Sequence, residues 1–102
     1  MIKHIARHTP LRAAVKTLAE LARKHPETGG GKIAMSVIVS TAFRVKVPID
    51  LGRIATQLSP IYLKAVMTII HHRHSEQWPT DLLPDDEVIG WIEHWKIKFA
   101  EA

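Results

Sequence analysis

The chain has 102 residues, a net charge of +4 and no cysteine. That length suits one domain, residues 1–102, able to bury about two thirds of the surface its unfolded form exposes. The missing cysteine excludes disulfides, thiolate metal sites and cysteine catalysis, and suits a reducing cytoplasm. The longest mainly apolar stretch, 33–43, is too short for a membrane span, and the first twelve residues carry Lys3, Arg7 and Arg12 without an apolar signal core.

Charge is unevenly placed. Residues 1–50 hold nine Lys and Arg against Glu20, Glu27 and Asp50, a net +6, whereas residues 51–102 hold five against seven acids, a net −2. A basic first half can meet an acidic protein or nucleic acid, or remain a solvated face.

The Thr9-Pro10 pair joins an N-cap residue to proline at the first helical position and predicts a helix to about Lys24. Leu11, Val15, Leu18, Leu21 and Ala22 share its apolar face; Arg12, Lys16, Glu20 and Arg23 line the other. Pro26 and Gly29-Gly30-Gly31 predict a turn. Across 33–45, Ile33, Val37, Ile38, Thr41, Ala42 and Val45 recur at the helical period, although Val37-Ile38-Val39 and Arg44-Val45-Lys46-Val47 have strand-like content. A lone strand has no partner elsewhere in the chain, so we assign a helix to about Phe43.

Pro48 stops that segment, and Asp50 is placed to cap a short helix over 51–58 with Leu51, Ile54, Ala55 and Leu58 on one side. Ser59-Pro60 repeats the cap-and-proline signal and opens a helix over 60–74. Ile61, Tyr62, Leu63, Ala65, Val66, Met67, Ile69 and Ile70 leave it few polar positions, which predicts the buried central element of the fold. On that reading, Met67→Asp abolishes cooperative unfolding. Trp78-Pro79 and Leu83-Pro84 mark a loop. A last helix follows, with Asp85, Asp86 and Glu87 at its positive end, Lys96 and Lys98 near the other, and an apolar face of Val88, Trp91, Ile92, Trp95 and Phe99.

Chemistry-bearing motifs are few. His4 with His8, and His71 with His74, could each share a helical face, but a zinc centre needs three or four ligands and no further carboxylate completes a pattern. Gly29-Gly30-Gly31-Lys32 lacks the first glycine and the Ser or Thr of a P-loop, with Pro26 and Ile33 in those places. No nucleophile has an identifiable base and orienting group, so the expectation is a non-enzyme without metal or cofactor. Residues 51–70 could form a helix-turn-helix, yet the second helix offers base edges only Lys64, Thr68 and Tyr62. Trp78, beside proline in a loop, is the expected exposed aromatic anchor, with a lid over the core as the alternative.

Several short features occur in the order found in one known group. Leu18-x-x-Leu21-Ala22, Thr28-Gly29, Ile49-Asp50-Leu51, Trp78-Pro79 and Trp95 make the stretch 11–96 resemble a family of small helical proteins of unknown function. That family occurs mainly in proteobacteria, often on plasmids or integrated elements. The chain departs from it at Ser40-Thr41-Ala42, where the family tends to carry a tryptophan pair. The resemblance implies a helical fold and a mobile-element setting, and no activity.

The resulting expectation is an all-α domain, a compact bundle of about five helices with a buried central helix. Its expected role is that of a cytoplasmic, non-enzymatic protein-binding module, an accessory or host-defence-antagonising factor of a plasmid or phage. The partner would be met by Arg12, Lys16, Arg23 and Trp78. The alternative is a small DNA-binding regulator using 51–70. A homodimer would cover apolar surface that one copy cannot.

Overall fold

The computed structural model describes residues 9–43 and 51–97. Five helices and no strand occur among them: α1 (Pro10–Lys24), α2 (Gly29–Phe43), α3 (Leu51–Gln57), α4 (Pro60–His72) and α5 (Asp85–Trp95). Asp50, the His4/His8 pair, Val45, Lys98 and Phe99 lie outside the described residues, as does the strand-like run 44–47.

The helix starts follow their local chemistry. Thr9 is extended, its Oγ1 accepts from the Arg12 N–H at 3.3 Å, and Pro10 takes the first helical position. Ser59 occupies the equivalent place before Pro60, but its hydroxyl makes no capping bond; its carbonyl accepts from Tyr62 and Leu63 instead. At α5, Pro84 precedes Asp85, Asp86 and Glu87, whose charges sit at the positive end of the helix dipole.

The glycine run is helix rather than turn. The Thr28 Oγ1 accepts from the Gly31 N–H at 2.9 Å, and the Thr28 carbonyl accepts from Lys32 at 3.0 Å, so α2 begins at Gly29. The turn is confined to Pro26-Glu27-Thr28, where the Thr28 hydroxyl also donates to the His25 carbonyl at 2.8 Å. That carbonyl lies where a β-carbon on Gly31 would stand, so close approach of α1's end to α2's beginning requires glycine here.

The buried central helix is α2, not α4. It packs against α1, α3, α4 and α5, and Ile33, Ala34, Met35, Val37, Ile38 and Val39 are all buried. Helix α4 leans chiefly on α1, and only Ala65, Val66 and Ile69 are buried in it. Ile61, Met67 and Ile70 are exposed at 64%, 58% and 60%. Ala55, expected to share the inner face of α3, is exposed too, whereas Ile54 and Leu58 are buried.

The reason is charge as much as apolar content. Residues 33–43 contain no charged side chain, whereas Lys64 sits in the middle of α4 and needs water. A domain this small has room to enclose one helix, and the one whose only charge, Lys32, lies in its first turn takes the place. The core is completed by Leu11, Val15, Leu18, Ala19 and Ala22 of α1, by Trp78 and Leu83 of the loop, and by Val88 of α5.

Two substitutions separate this arrangement from the sequence expectation. Met35→Asp should abolish cooperative thermal unfolding, because an unpaired buried carboxylate costs an amount comparable with the domain's whole stability of about 5–15 kcal/mol. Met67→Asp should leave a cooperative transition, with a stability change within about 0.5–1 kcal/mol. Gly31→Ala should cost about 1–3 kcal/mol in denaturant titrations, since the opposing atom is backbone and cannot rotate away.

Candidate interaction face

The four residues expected to meet a partner are not free together. Arg12 makes a two-pronged bond to Asp81, Nη1 to Oδ1 at 2.9 Å and Nη2 to Oδ2 at 2.8 Å. Arg23 does the same to Glu87, Nε to Oε2 at 2.8 Å and Nη2 to Oε1 at 2.6 Å, and also donates to the Leu82 carbonyl at 3.2 Å. Two of the four cations on α1 are thereby spent tying it to the 78–84 loop and α5. Lys16, the third of the expected cations, is exposed on the outer side of α1, as is Lys24 at its end.

Trp78 is 9% exposed, so it is the lid of the core and not a displayed anchor. Its ring lies 5.5 Å from the Arg73 guanidinium, whose Nε donates to the Thr41 carbonyl at 2.8 Å and whose Nη1 donates to the Glu76 carbonyl at 3.2 Å. One arginine thus holds the end of α4, the end of α2 and the lid together. A loop carrying Trp78, Leu82 and Leu83 within six positions brings enough apolar surface to fold back on the core, which was the available signal.

The exposed apolar surface is on α4. At 100° per residue, Ala65, Val66 and Ile69 point inward, while Leu63, Met67 and Ile70 succeed one another at spacings of four and three along the outer half. Leu63 is half-buried, Met67 and Ile70 are exposed. Lys64 and His71 border this ridge on its solvent side, and Ile61 lies beyond Lys64, off the ridge and on the side of the helix away from Ile70. The Thr68 hydroxyl turns back to donate to the Lys64 carbonyl at 2.8 Å.

The surrounding charge is one-sided. Residues 51–75 contain Arg53, Lys64 and Arg73 and no Asp or Glu. The acids of the second half lie beyond Ser75, and two of them, Asp81 and Glu87, already hold the arginines of α1. Averaging charge over the halves of the chain hides this, because an acid-free helix pair and an acidic tail cancel.

Other chemistry is local. His72 Nδ1 lies 3.2 Å from Glu76 Oε2, and the His71 and His72 rings meet edge to face at 4.7 Å. No group of three His, Asp or Glu that could hold a metal occurs among the described residues. The Lys32 ammonium stands 5.8 Å from the centre of the Trp95 ring, which pins the end of α5 over the beginning of α2. No described helix is long and apolar enough to cross a membrane. No protein-family model, curated protein or solved structure matches the chain.

The Arg12 bond holds the Asp81 carboxyl below its ordinary value, chiefly by hydrogen bonding. A depressed carboxylate contributes stability above its unfolded pKa, near 3.9, and that contribution disappears as pH falls through the lower folded value. Asp81→Asn should therefore flatten the acid limb of thermal stability. Melting curves between about pH 5 and pH 2 should fall less steeply for the variant; parallel curves would show that the pair is broken in solution.

Proposed function

We propose that this protein is a non-enzymatic protein-binding module whose contact surface is the outer face of α4. The carrying observation is that Met67 and Ile70, neighbours on that outer face, are each more than half exposed. Scattered surface hydrophobes need no explanation, but Leu63, Met67 and Ile70, aligned at spacings of four and three beside Lys64, form the kind of apolar ridge a helix-binding surface presents. The polar members of the face are Lys64, His71 and a Thr68 hydroxyl already engaged with backbone, a set suited to framing a contact. A role as an accessory or host-defence-antagonising factor of a plasmid or phage, acting in the cytoplasm, is supported by the family resemblance and by the absence of cysteine.

One observation favours a second reading, a small DNA-binding regulator: the acid-free run 51–75 surrounds the candidate helix pair. Packing weighs against it. In a helix-turn-helix the two helices pack on one another, whereas α3 rests on α2 and α4 on α1. A recognition helix also needs polar side chains for phosphates and base edges, and the outer side of α4 presents Met67 and Ile70 in their place.

A photo-crosslinking residue at Met67 should give one discrete adduct in the native cell, and Met67→Glu with Ile70→Glu should lose the same protein in affinity capture by about tenfold or more. Anisotropy on random duplex DNA should show no salt-sensitive binding by the unmodified chain. Tight low-salt binding that falls steeply with added salt, with no adduct at Met67, would replace this reading with the DNA-binding one.

A further inference from the structure

We infer that the α4 face accepts an amphipathic helix of another protein whose apolar seam is flanked by carboxylates. This rests on the protein-binding reading and adds the chemistry of the partner. Leu63, Met67 and Ile70 follow the spacing of a helix-pairing seam, in which side chains separated alternately by four and three residues insert between those of a facing helix. Lys64 and His71 each follow a seam residue directly and are seven apart, so both fall on the same flank, at positions where paired helices select partners by charge.

The other flank is not available for selection. Val66 is buried against the rest of the domain, and the Arg73 guanidinium is turned to the Thr41 and Glu76 carbonyls. The open flank therefore carries Lys64, with His71 seven residues on, and no acid. Neither Lys64 nor His71 meets a carboxylate, and residues 51–75 supply none. A facing helix with Glu or Asp beside its apolar seam satisfies both features at once, and one with Lys there is repelled.

A second copy satisfies them poorly. Two-fold pairing of α4 with itself sets Lys64 and His71 against a flank that likewise has no acid. The exposed side of α5 does carry Asp86 and Glu93, but Ile89, 46% exposed, is its sole large apolar residue, beside Gly90 with nothing within 4 Å of its β position. That surface cannot cover a ridge of three.

The test uses the full chain and two synthetic helical peptides of about three heptads, identical in their Leu and Ile seam, one with Glu on both flanks and one with Lys. By anisotropy at low salt, the Glu peptide should bind about tenfold or more tightly than the Lys peptide, with the gap narrowing as salt is added. Met67→Ser should weaken the Glu peptide about tenfold, and Lys64→Glu should reverse the preference between peptides, while both variants keep the unmodified chain's thermal melt.

Equal binding of the two peptides, lost in Met67→Ser, would overturn the carboxylate requirement and leave the protein-binding reading standing. Binding of neither peptide would overturn the helical partner; the Met67 crosslink then decides separately whether any protein binds. Self-association in sedimentation without peptide, abolished by Met67→Ser, would replace the partner with a second copy. Uptake by vesicles containing phosphatidylglycerol, with the same sensitivity, would replace it with a lipid surface.

Discussion

The fold depends on enclosing α2. With its one charge, Lys32, in the first turn and none from Ile33 to Phe43, this helix has little surface suited to water, and Ile33, Ala34, Met35, Val37, Ile38 and Val39 are buried. Every other helix packs against it. The three consecutive glycines at its start and the small residues Ala34, Ser36, Ser40 and Ala42 let neighbours approach closely, most clearly where the His25 carbonyl occupies the space of a Gly31 side chain. Once α2 holds the centre, α4 is an outer helix with one face on α1, and its remaining apolar residues are left in solvent.

The same arrangement sorts the charges. The basic helix α1 lies beside the acidic loop and the beginning of α5, and the forked Arg12–Asp81 and Arg23–Glu87 pairs close the two layers at opposite ends of α1. Exposed pairs of this kind contribute little to stability, so they align the loop and α5 more than they hold the fold. Their consequence for recognition is larger. They neutralise two of the cations most obvious in the sequence, Arg12 and Arg23, and leave Lys64 on the outer face of α4 without an acid on its own helix.

The element list was legible because its signals are local. Thr9-Pro10, Ser59-Pro60 and the acidic triplet 85–87 each marked a helix beginning, and the choice of helix over strand for 33–43 agrees with the structure. What escaped was the ranking of two apolar helices, which depends on competition for one interior. Apolar count alone favoured 60–74; the decisive residue was Lys64, since one cation in mid-helix outweighs several methylenes. The glycine run misled for a similar reason. Thr28 caps the segment by hydrogen bonds that a scan for helix breakers does not weigh.

The candidate site was hidden by the same error. If α4 were central, Met67 and Ile70 could not meet a partner, and attention passes to Arg12, Arg23 and Trp78, which the folded chain uses internally. Exposed apolar groups contribute little to folding, whereas full burial of each in a complex is worth about 1.5–3 kcal/mol. Met67 and Ile70, with the open part of Leu63, therefore offer a gross gain of the same order as the lower estimates for the entropy lost on association, about 4 kcal/mol and upward. A single helix face of two turns is also well below the standard interface of about 1,600 Å². The balance favours a weak, rapidly exchanging contact, in which the charge on the open flank decides which helices are held at all.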